Sequence, residues 1–416
     1  MRIIADFHLH SKYSRATSRD MDIAHISEWA KHKGIDIIGT GDFTHPFWLG
    51  EIKNNLGEDG SGLLKLKNGN KNLKFILTTE LSSIYTQGGK VRKVHTIIFV
   101  PDIRTVETIN DKLTGIGNLY SDGRPILGLS AKDLAKIILD INPDCLIVPA
   151  HAWTPWFSVF GSNSGFDSLQ ECYEELTPYI NSIETGLSSD PEMNWRLSAL
   201  DKITLISNSD AHSPANLGRE ANVFEIEENK FSYDEIVDIL RKKDSKRFLN
   251  TIEFFPEEGK YHFDGHRNCK IVADPTKQKY PGNICPVCGR KLTIGVMNRV
   301  EELADREPGY QSDIFPVSKH LVPLSEIIAE SFGVQGKSKK VEEEYFSLIR
   351  HFGPEFEILL ERPLDEIAKV NPKIAQGIEN MRKGKVTLEP GYDGVYGRVK
   401  VFDKKEPEAQ QQTSLF

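Results

Sequence analysis

RIIADFHLH (2–10) and ITLISNSDAH (203–212) decide the fold, because each is an Ile-rich run ending in two metal-ligating side chains two residues apart. Residues two apart on a strand share a face, so His8 and His10 point together, as do Asp210 and His212. Working outward, the same pattern recurs in GIDIIGTGD (34–42), KFILTTE (74–80), VHTIIFV (94–100), CLIVPAH (145–151) and INSIETG (180–186), with NVFEIE (222–227) as an extra strand. Helix-like segments at 21–33, 131–141, 192–201 and 233–243 separate several of them. In the last, Ile236, Ile239 and Leu240 recur at helical spacing. Such strand–helix alternation predicts an α/β fold with a parallel sheet, either doubly wound or closed into a barrel. The polar residues favour the barrel. Asp42, Glu80, His151 and Asp210 end their runs, and side chains at the C-terminal ends of many strands are how a barrel builds a site at one mouth.

The candidate ligands are His8, His10, Asp42, Glu80, His95, His151, Asp210 and His212, with His45 an alternative to Asp42 after the second strand. This mixture of imidazole and carboxylate suits two or three zinc- or manganese-like ions. Among these ligands Glu80 is the expected bridging carboxylate and Asp210 the expected partner of a nucleophilic water, so Asp210, Glu80 and His10 form the candidate catalytic set. Arg15 or Arg19, just past the His-x-His pair, is placed to hold a phosphate. The remaining histidines, at 25, 32, 262, 320 and 351, are expected to be solvated.

FHLHS (7–11), GTGD (39–42), TTE (78–80), VHTI (94–97), PAH (149–151) and SDAH (209–212) together resemble the ordered motifs of the PHP phosphoesterases. That resemblance covers residues 1–250. It implies a distorted (β/α)7 barrel with a trinuclear, usually zinc-containing, phosphoesterase centre. TGDFTHP (40–46) departs from the adjacent Asp–His pair usual in that family, which leaves Asp42 and His45 both open as the ligand there.

Residues 251–300 change character. His266-x2-Cys269, then Cys285-x2-Cys288, have zinc-knuckle spacing, with Gly289 where a tight turn is needed. A closed four-ligand site of this kind predicts one structural zinc that folds a small module lacking its own core. GKYHFDGHRNC (259–269) with ICPVCGRKLTIGVMNRVEELADR (284–306) extends the resemblance to the region following the barrel in the endonuclease Q family. The resemblance implies a metal-dependent DNA repair endonuclease that hydrolyses the phosphodiester 5′ to uracil, hypoxanthine, xanthine or an abasic site. Zinc, with Mg²⁺ or Mn²⁺ as further candidates for activity, and damaged DNA are the cofactors and partner it implies. A small-ester phosphatase of the PHP type is the alternative, but it has no use for the knuckle. A non-catalytic DNA scaffold is disfavoured, since a structural site needs only four ligands.

Residues 301–400 read as mainly helical, and 401–416 as a disordered polar tail. Within that tail Gln412, Leu415 and Phe416 resemble the start of a PCNA-interacting motif, so a sliding clamp is a candidate partner. Nucleotide hydrolysis is not supported, because GVQGKS (333–338) has two residues between its glycines rather than the four of a P-loop, and no strand precedes it. Trp153, Trp156 and Phe157, directly after His151, are candidates for a wedge or pocket wall around an extruded base.

Composition sets the outer limits. Of 416 residues, 39% are hydrophobic and 27% charged, and 52 basic against 60 acidic side chains leave a net charge of −8. That excludes a wholesale basic coat for nucleic acid but not a local basic groove. No run of about 18 apolar residues supports a membrane span. MRIIADFHLHSKYSR turns polar too early for a signal peptide, and five cysteines argue against a disulfide framework. The cytoplasm is the expected compartment.

Overall fold

The computed structural model describes residues 1–69, 72–278, 280–311 and 317–402, a mixed α/β arrangement with one large sheet and a helical C-terminal region. Gln412, Leu415 and Phe416 lie outside the described residues. The first strand, β1 (Arg2–Asp6), leads through helix α1 (Ile23–Lys33) to β2 (Ile37–Gly39), parallel to it. Asp22 starts α1 by accepting the His25 amide, and Gly34 ends it in the left-handed conformation, φ +85°. Helix α2 (Pro46–Asn55) follows, with Pro46 at its first turn. Next comes β3 (Lys74–Gln87), parallel to β2.

Here the expected parallel order fails. β3 turns at Gly88-Gly89 directly into β4 (Lys90–Val100), and the two pair antiparallel from Leu77–Val100 to Gln87–Lys90. Two glycines at positive φ make that tight hairpin. The reversal sets Glu80 and His95, each near the middle of its strand, side by side, Glu80 opposite Ile97 and His95 opposite Ser82. Helices α3 (Ile103–Thr114) and α4 (Ala131–Ile141) precede β5 (Leu146–Pro149), which is antiparallel to β4. β6 (Ser182–Glu184) and β7 (Thr204–Ile206) form a parallel pair. The 192–201 segment is not one helix. It is a short helix at Pro191–Asn194 and a single 3-10 turn at Ser198–Leu200. The extra strand is β8 (Ala221–Glu225), antiparallel to β1. Helix α5 (Tyr233–Lys242) then leads to β9 (Phe248–Glu253), antiparallel to β8.

Past the metal-ligand-rich stretch, helix α6 (Val296–Leu303) sends Arg299 to the carbonyls of Phe160 and Phe166 and to Asp167. Strand β10 (Val317–His320) then joins the large sheet beside β9, so the C-terminal region contributes to the central sheet. Helices α7 (Leu324–Phe332), α8 (Lys339–Phe352), α9 (Glu355–Leu360), α10 (Leu364–Val370) and α11 (Pro372–Arg382) complete it. The chain finally returns to the 256–267 region, where the Phe263 amide donates to the Gly391 carbonyl, the Gly391 amide donates to that of Glu257, and Asp393 accepts the Arg267 amide.

One buried ion pair fastens the helical region to α1. Lys33 lies 2.6 Å from Glu355, with side chains 6% and 4% exposed, and Glu355 also accepts the Tyr345 hydroxyl and the Leu324 amide. Removing one partner leaves the other buried and uncompensated. Lys33→Met should therefore lower unfolding free energy by about 3 kcal/mol, read by denaturant titration; an unchanged midpoint would show that the pair fastens nothing.

Candidate metal centre

His8 and His10 follow β1 on extended backbone, held by a bridge between Leu9 and Ala211. Both rings are buried. Each has one nitrogen anchored by a carboxylate: His8 Nδ1 lies 3.0 Å from Glu184 and His10 Nδ1 3.0 Å from Asp42. The other nitrogens point inward. His10 Nε2 sits 3.1 Å from Asp210 and 3.2 Å from Glu80, while His8 Nε2 is 3.7 and 3.6 Å from the same two carboxylates. An outer carboxylate that fixes the ring and frees the inner nitrogen is the usual support of a metal-binding histidine.

Glu80 joins two groups. One carboxylate oxygen is 2.8 Å from His95 Nδ1 and 3.0 Å from His151 Nε2; the other faces His10 and lies 2.8 Å from Arg124. The ligand atoms of His8, His10 and Asp210 fall within 4.8 Å of one another, and so do those of Glu80, His95 and His151. Donor chemistry fits divalent cations. His8 Nε2, His10 Nε2 and Asp210 Oδ1 are buried without a hydrogen-bond partner, an arrangement that costs free energy unless a cation meets them.

The electrostatics agree. Burial works against charge on Glu80, yet His95, Arg124 and His8 hold it well below the usual carboxylate range. Asp210 behaves likewise, with His8 and His10 outweighing its burial. In turn Glu184 raises His8 and Asp42 raises His10 well above an ordinary imidazole, despite burial. The cavity asks for positive charge. Three of its residues also sit at positive φ, Asp42 at 46°, His151 at 29° and Asp210 at 45°. Backbone this far from the favoured regions persists where surrounding contacts impose it, and it clusters at functional sites.

Not every expected ligand joins the two groups. Asp42 stands behind His10 and is occupied by the Ser11 amide and the Ser11 and Ser14 hydroxyls. His45 is buried and stacks on Tyr13 at 4.5 Å, so neither residue of that open pair is in the groups. His212 is half-buried at the mouth, its ring 4.6 Å from that of His10. Arg15 is 79% exposed and pairs with Asp122, and Arg19 is exposed; the arginine that reaches the centre is Arg124. Trp153 is no wedge, because it is 1% exposed, packs on Phe160 and donates to Asn194. Trp156 stays on the surface at 41%, and the Phe157 ring lies 4.6 Å from that of His95.

Two residues escaped the sequence reading. Glu184 lies two residues before the end of INSIETG and closes the strand Ser182–Glu184, so a carboxylate near the end of that run was the available signal. It takes the His8 ring and the His151 amide together, and Gly186 (φ +65°) passes so close that a Cβ there would meet His151 Cβ at 2.5 Å. Arg124 sits in a loop without periodicity and had no signal.

The second site gathers His266, Cys269, Cys285 and Cys288 with ligand atoms within 4.8 Å. Despite burial, which acts the other way, the backbone amides of Cys288 and Val287 pull the Cys285 thiol down to about 6, toward the thiolate that zinc requires. Two expected solvated histidines are not solvated. His262 is buried, and His320 meets Asp190 at 3.2 Å. Burial lowers His320, but Asp190 and Glu253 raise it to about 9. A histidine raised in the folded state stabilises fully below its unfolded value, and that contribution is lost as pH climbs through the folded value. The melting temperature should fall between about pH 6.5 and pH 9, and His320→Gln should flatten the fall; an equal slope in both proteins would refute the link.

No helix among the described residues is long and apolar enough to cross a membrane. Residues 323–385 match the family model of the MJ0043 C-terminal domain. The protein MJ0043 of Methanocaldococcus jannaschii is 32% identical over 270 residues, which cover 64% of this chain and 33% of that protein. The chain thus spans about a third of that curated relative. Two solved structures are similar over almost everything. The lesion-specific endonuclease PfuEndoQ of Pyrococcus furiosus superposes with a TM-score of 0.85 at 32% identity, covering 96% of this chain and 95% of that one. Endonuclease Q in complex with a 27-mer duplex carrying an abasic lesion at the active site gives 0.84 at 32% identity, covering 98% and 100%.

Proposed function

The chain belongs to the endonuclease Q family, and on that premise we propose that it is a metal-dependent DNA repair endonuclease acting at the centre built around Glu80. It hydrolyses the phosphodiester 5′ to uracil, hypoxanthine, xanthine or an abasic site. The observation that carries this reading is the sharing of one carboxylate by two convergent ligand groups, in a chain similar along its length to an endonuclease Q held on an abasic duplex. The strands from β1 to β7 are read as the distorted (β/α)7 barrel of PHP phosphoesterases, with its ligands at one mouth.

His8, His10, Glu80, His95, His151 and Asp210 would hold two or three ions, with His212 at their edge. Such ions lower the pKa of water and offset the charge on phosphate oxygens. Glu184 and Asp42 keep His8 and His10 turned inward. Asp210, whose side chain is 25% exposed against 0% for Glu80, is the carboxylate that incoming water reaches, and it orients that water. With one guanidinium nitrogen on Glu80, Arg124 would offer its remaining hydrogens to a phosphate oxygen beside it. Water oxygen bonds to phosphorus as the bond to O3′ breaks, leaving a 3′-hydroxyl and a 5′-phosphate. His266, Cys269, Cys285 and Cys288 would hold one structural zinc, and Trp156 and Phe157 line the lesion side.

The test uses a 5′-labelled duplex with a single deoxyuridine, deoxyinosine or abasic site, with Mg²⁺, Mn²⁺, Zn²⁺ or chelator, resolved on a denaturing gel. One metal-dependent nick immediately 5′ to the lesion, absent from undamaged duplex, is expected. Intact damaged strands under every metal would overturn the reading.

A further inference from the structure

Two large rings stand out of the protein at one end of the ligand array. Phe47 is 62% exposed and Tyr120 61%, although their neighbours Phe43 and Trp48 are fully buried. They meet edge to face, ring centres 5.8 Å apart. Exposed aromatic surface costs free energy in water, and here it is held rigidly. Phe47 is the second residue of α2, which the Trp48 indole anchors through the carbonyls of Thr40 and Gly41. Tyr120 rides on a loop that packs hard onto the centre, since a Cβ on Gly123 would meet Asp42 Oδ2 at 2.2 Å. Between them the buried His45 ring stacks on Tyr13 and lies 5.8 Å from Phe47 and 6.4 Å from Tyr120.

The same loop carries Arg124 to Glu80, and Phe47 follows Asp42 by five residues. The pair is therefore continuous with the centre at its Asp42–His10 end. At the His95 end a separate surface holds Trp156 against Tyr261, with Lys260 over Tyr261 and the exposed Tyr396. A nucleotide drawn out of a duplex to the ligand array leaves a gap, and its neighbours lose stacking partners. Resting on the endonuclease reading, we infer that Phe47 and Tyr120 form the wedge that stacks on the base pair flanking the lesion. They fill the vacated step while the nucleotide is held at the centre. The wedge acts on the duplex rather than on the lesion base, so it serves an abasic site as well as a uracil.

The experiment compares wild type, Phe47→Ala/Tyr120→Ala and Phe47→Trp on two versions of each uracil and abasic substrate. One is fully paired; the other places the lesion in a short unpaired bubble, where no step needs opening. Stacking of about 1–3 kcal/mol per ring translates to roughly tenfold or more. The double alanine variant should cut both paired substrates at least tenfold more slowly and the bubbles nearly as fast as wild type. Phe47→Trp should cut all four normally. Metal content of the variants should match wild type. Equal loss on paired and bubble DNA would mean the rings merely support the centre, and undiminished cutting of paired DNA would mean they touch nothing; either overturns the wedge. A wild type that cuts no lesion substrate overturns the endonuclease reading and the wedge with it.

Discussion

Glu80→Gln is expected to lower nicking of a uracil duplex by on the order of a thousandfold, close to the loss from Asp210→Ala, because residues that act as one unit do not add. The substitution keeps the side chain's size and removes one charge. That charge faces His95 and His151 through one oxygen and His10 and Arg124 through the other. An amide cannot answer all four. Ion content should separate chemistry from folding, since Glu80→Gln should lose its catalytic ions while keeping the one at the cysteine site. Arg124 is then left beside a neutral group, so added phosphate should bind it more readily than in wild type. A variant that keeps both its ions and its rate would remove Glu80 from the centre of the mechanism.

Cys285→Ser should produce the second large effect, on the fold of the module rather than on the chemistry. Cys285 is 1% exposed and lies among His266, Cys269 and Cys288, with Cys288 Sγ 3.4 Å from His266 Nδ1. The strands around it are only three residues each, Asp264–His266 and Ile271–Ala273, too short to hold themselves together. Structural zinc supplies about 10–16 kcal/mol in small zinc modules, so losing it should melt the region locally. Limited trypsin digestion reads this directly, with rapid cleavage at Lys270, Lys277, Arg290 and Lys291 in the variant or after chelation. Protection equal to wild type would mean that packing, not metal, holds the module. Loosening should spread to residues 160–167, because Arg299 at the module's edge braces the carbonyls of Phe160 and Phe166.

Much of the centre was legible because metal chemistry is written in residue type and strand period. His8-x-His10 needs only extended backbone to bring its rings together, and His151 needed only to follow its strand, whereas the strand that carries Glu80 runs on to Gln87. Helices α4 and α5 were equally plain, since Ser130 and Ser232 cap them by accepting the Asp133 and Glu235 amides. Trp153 misled for a physical reason: an aromatic side chain after a ligand reads the same whether it faces solvent or core. Here Asn194 satisfies its indole inside the protein.

The sequence by itself determined the donors, the strands that carry most of them and the four-ligand module, because spacing along one chain segment is local geometry. Only the tertiary structure decided which donors meet. The antiparallel turn at Gly88-Gly89 brings His95 to Glu80, and a loop without period delivers Arg124 to the same carboxylate. Asp42 faces the back of His10, and Glu184 faces His8, through contacts between strands far apart in the chain. No pattern along the sequence encodes such meetings, because they depend on how strand direction and packing close the space between segments.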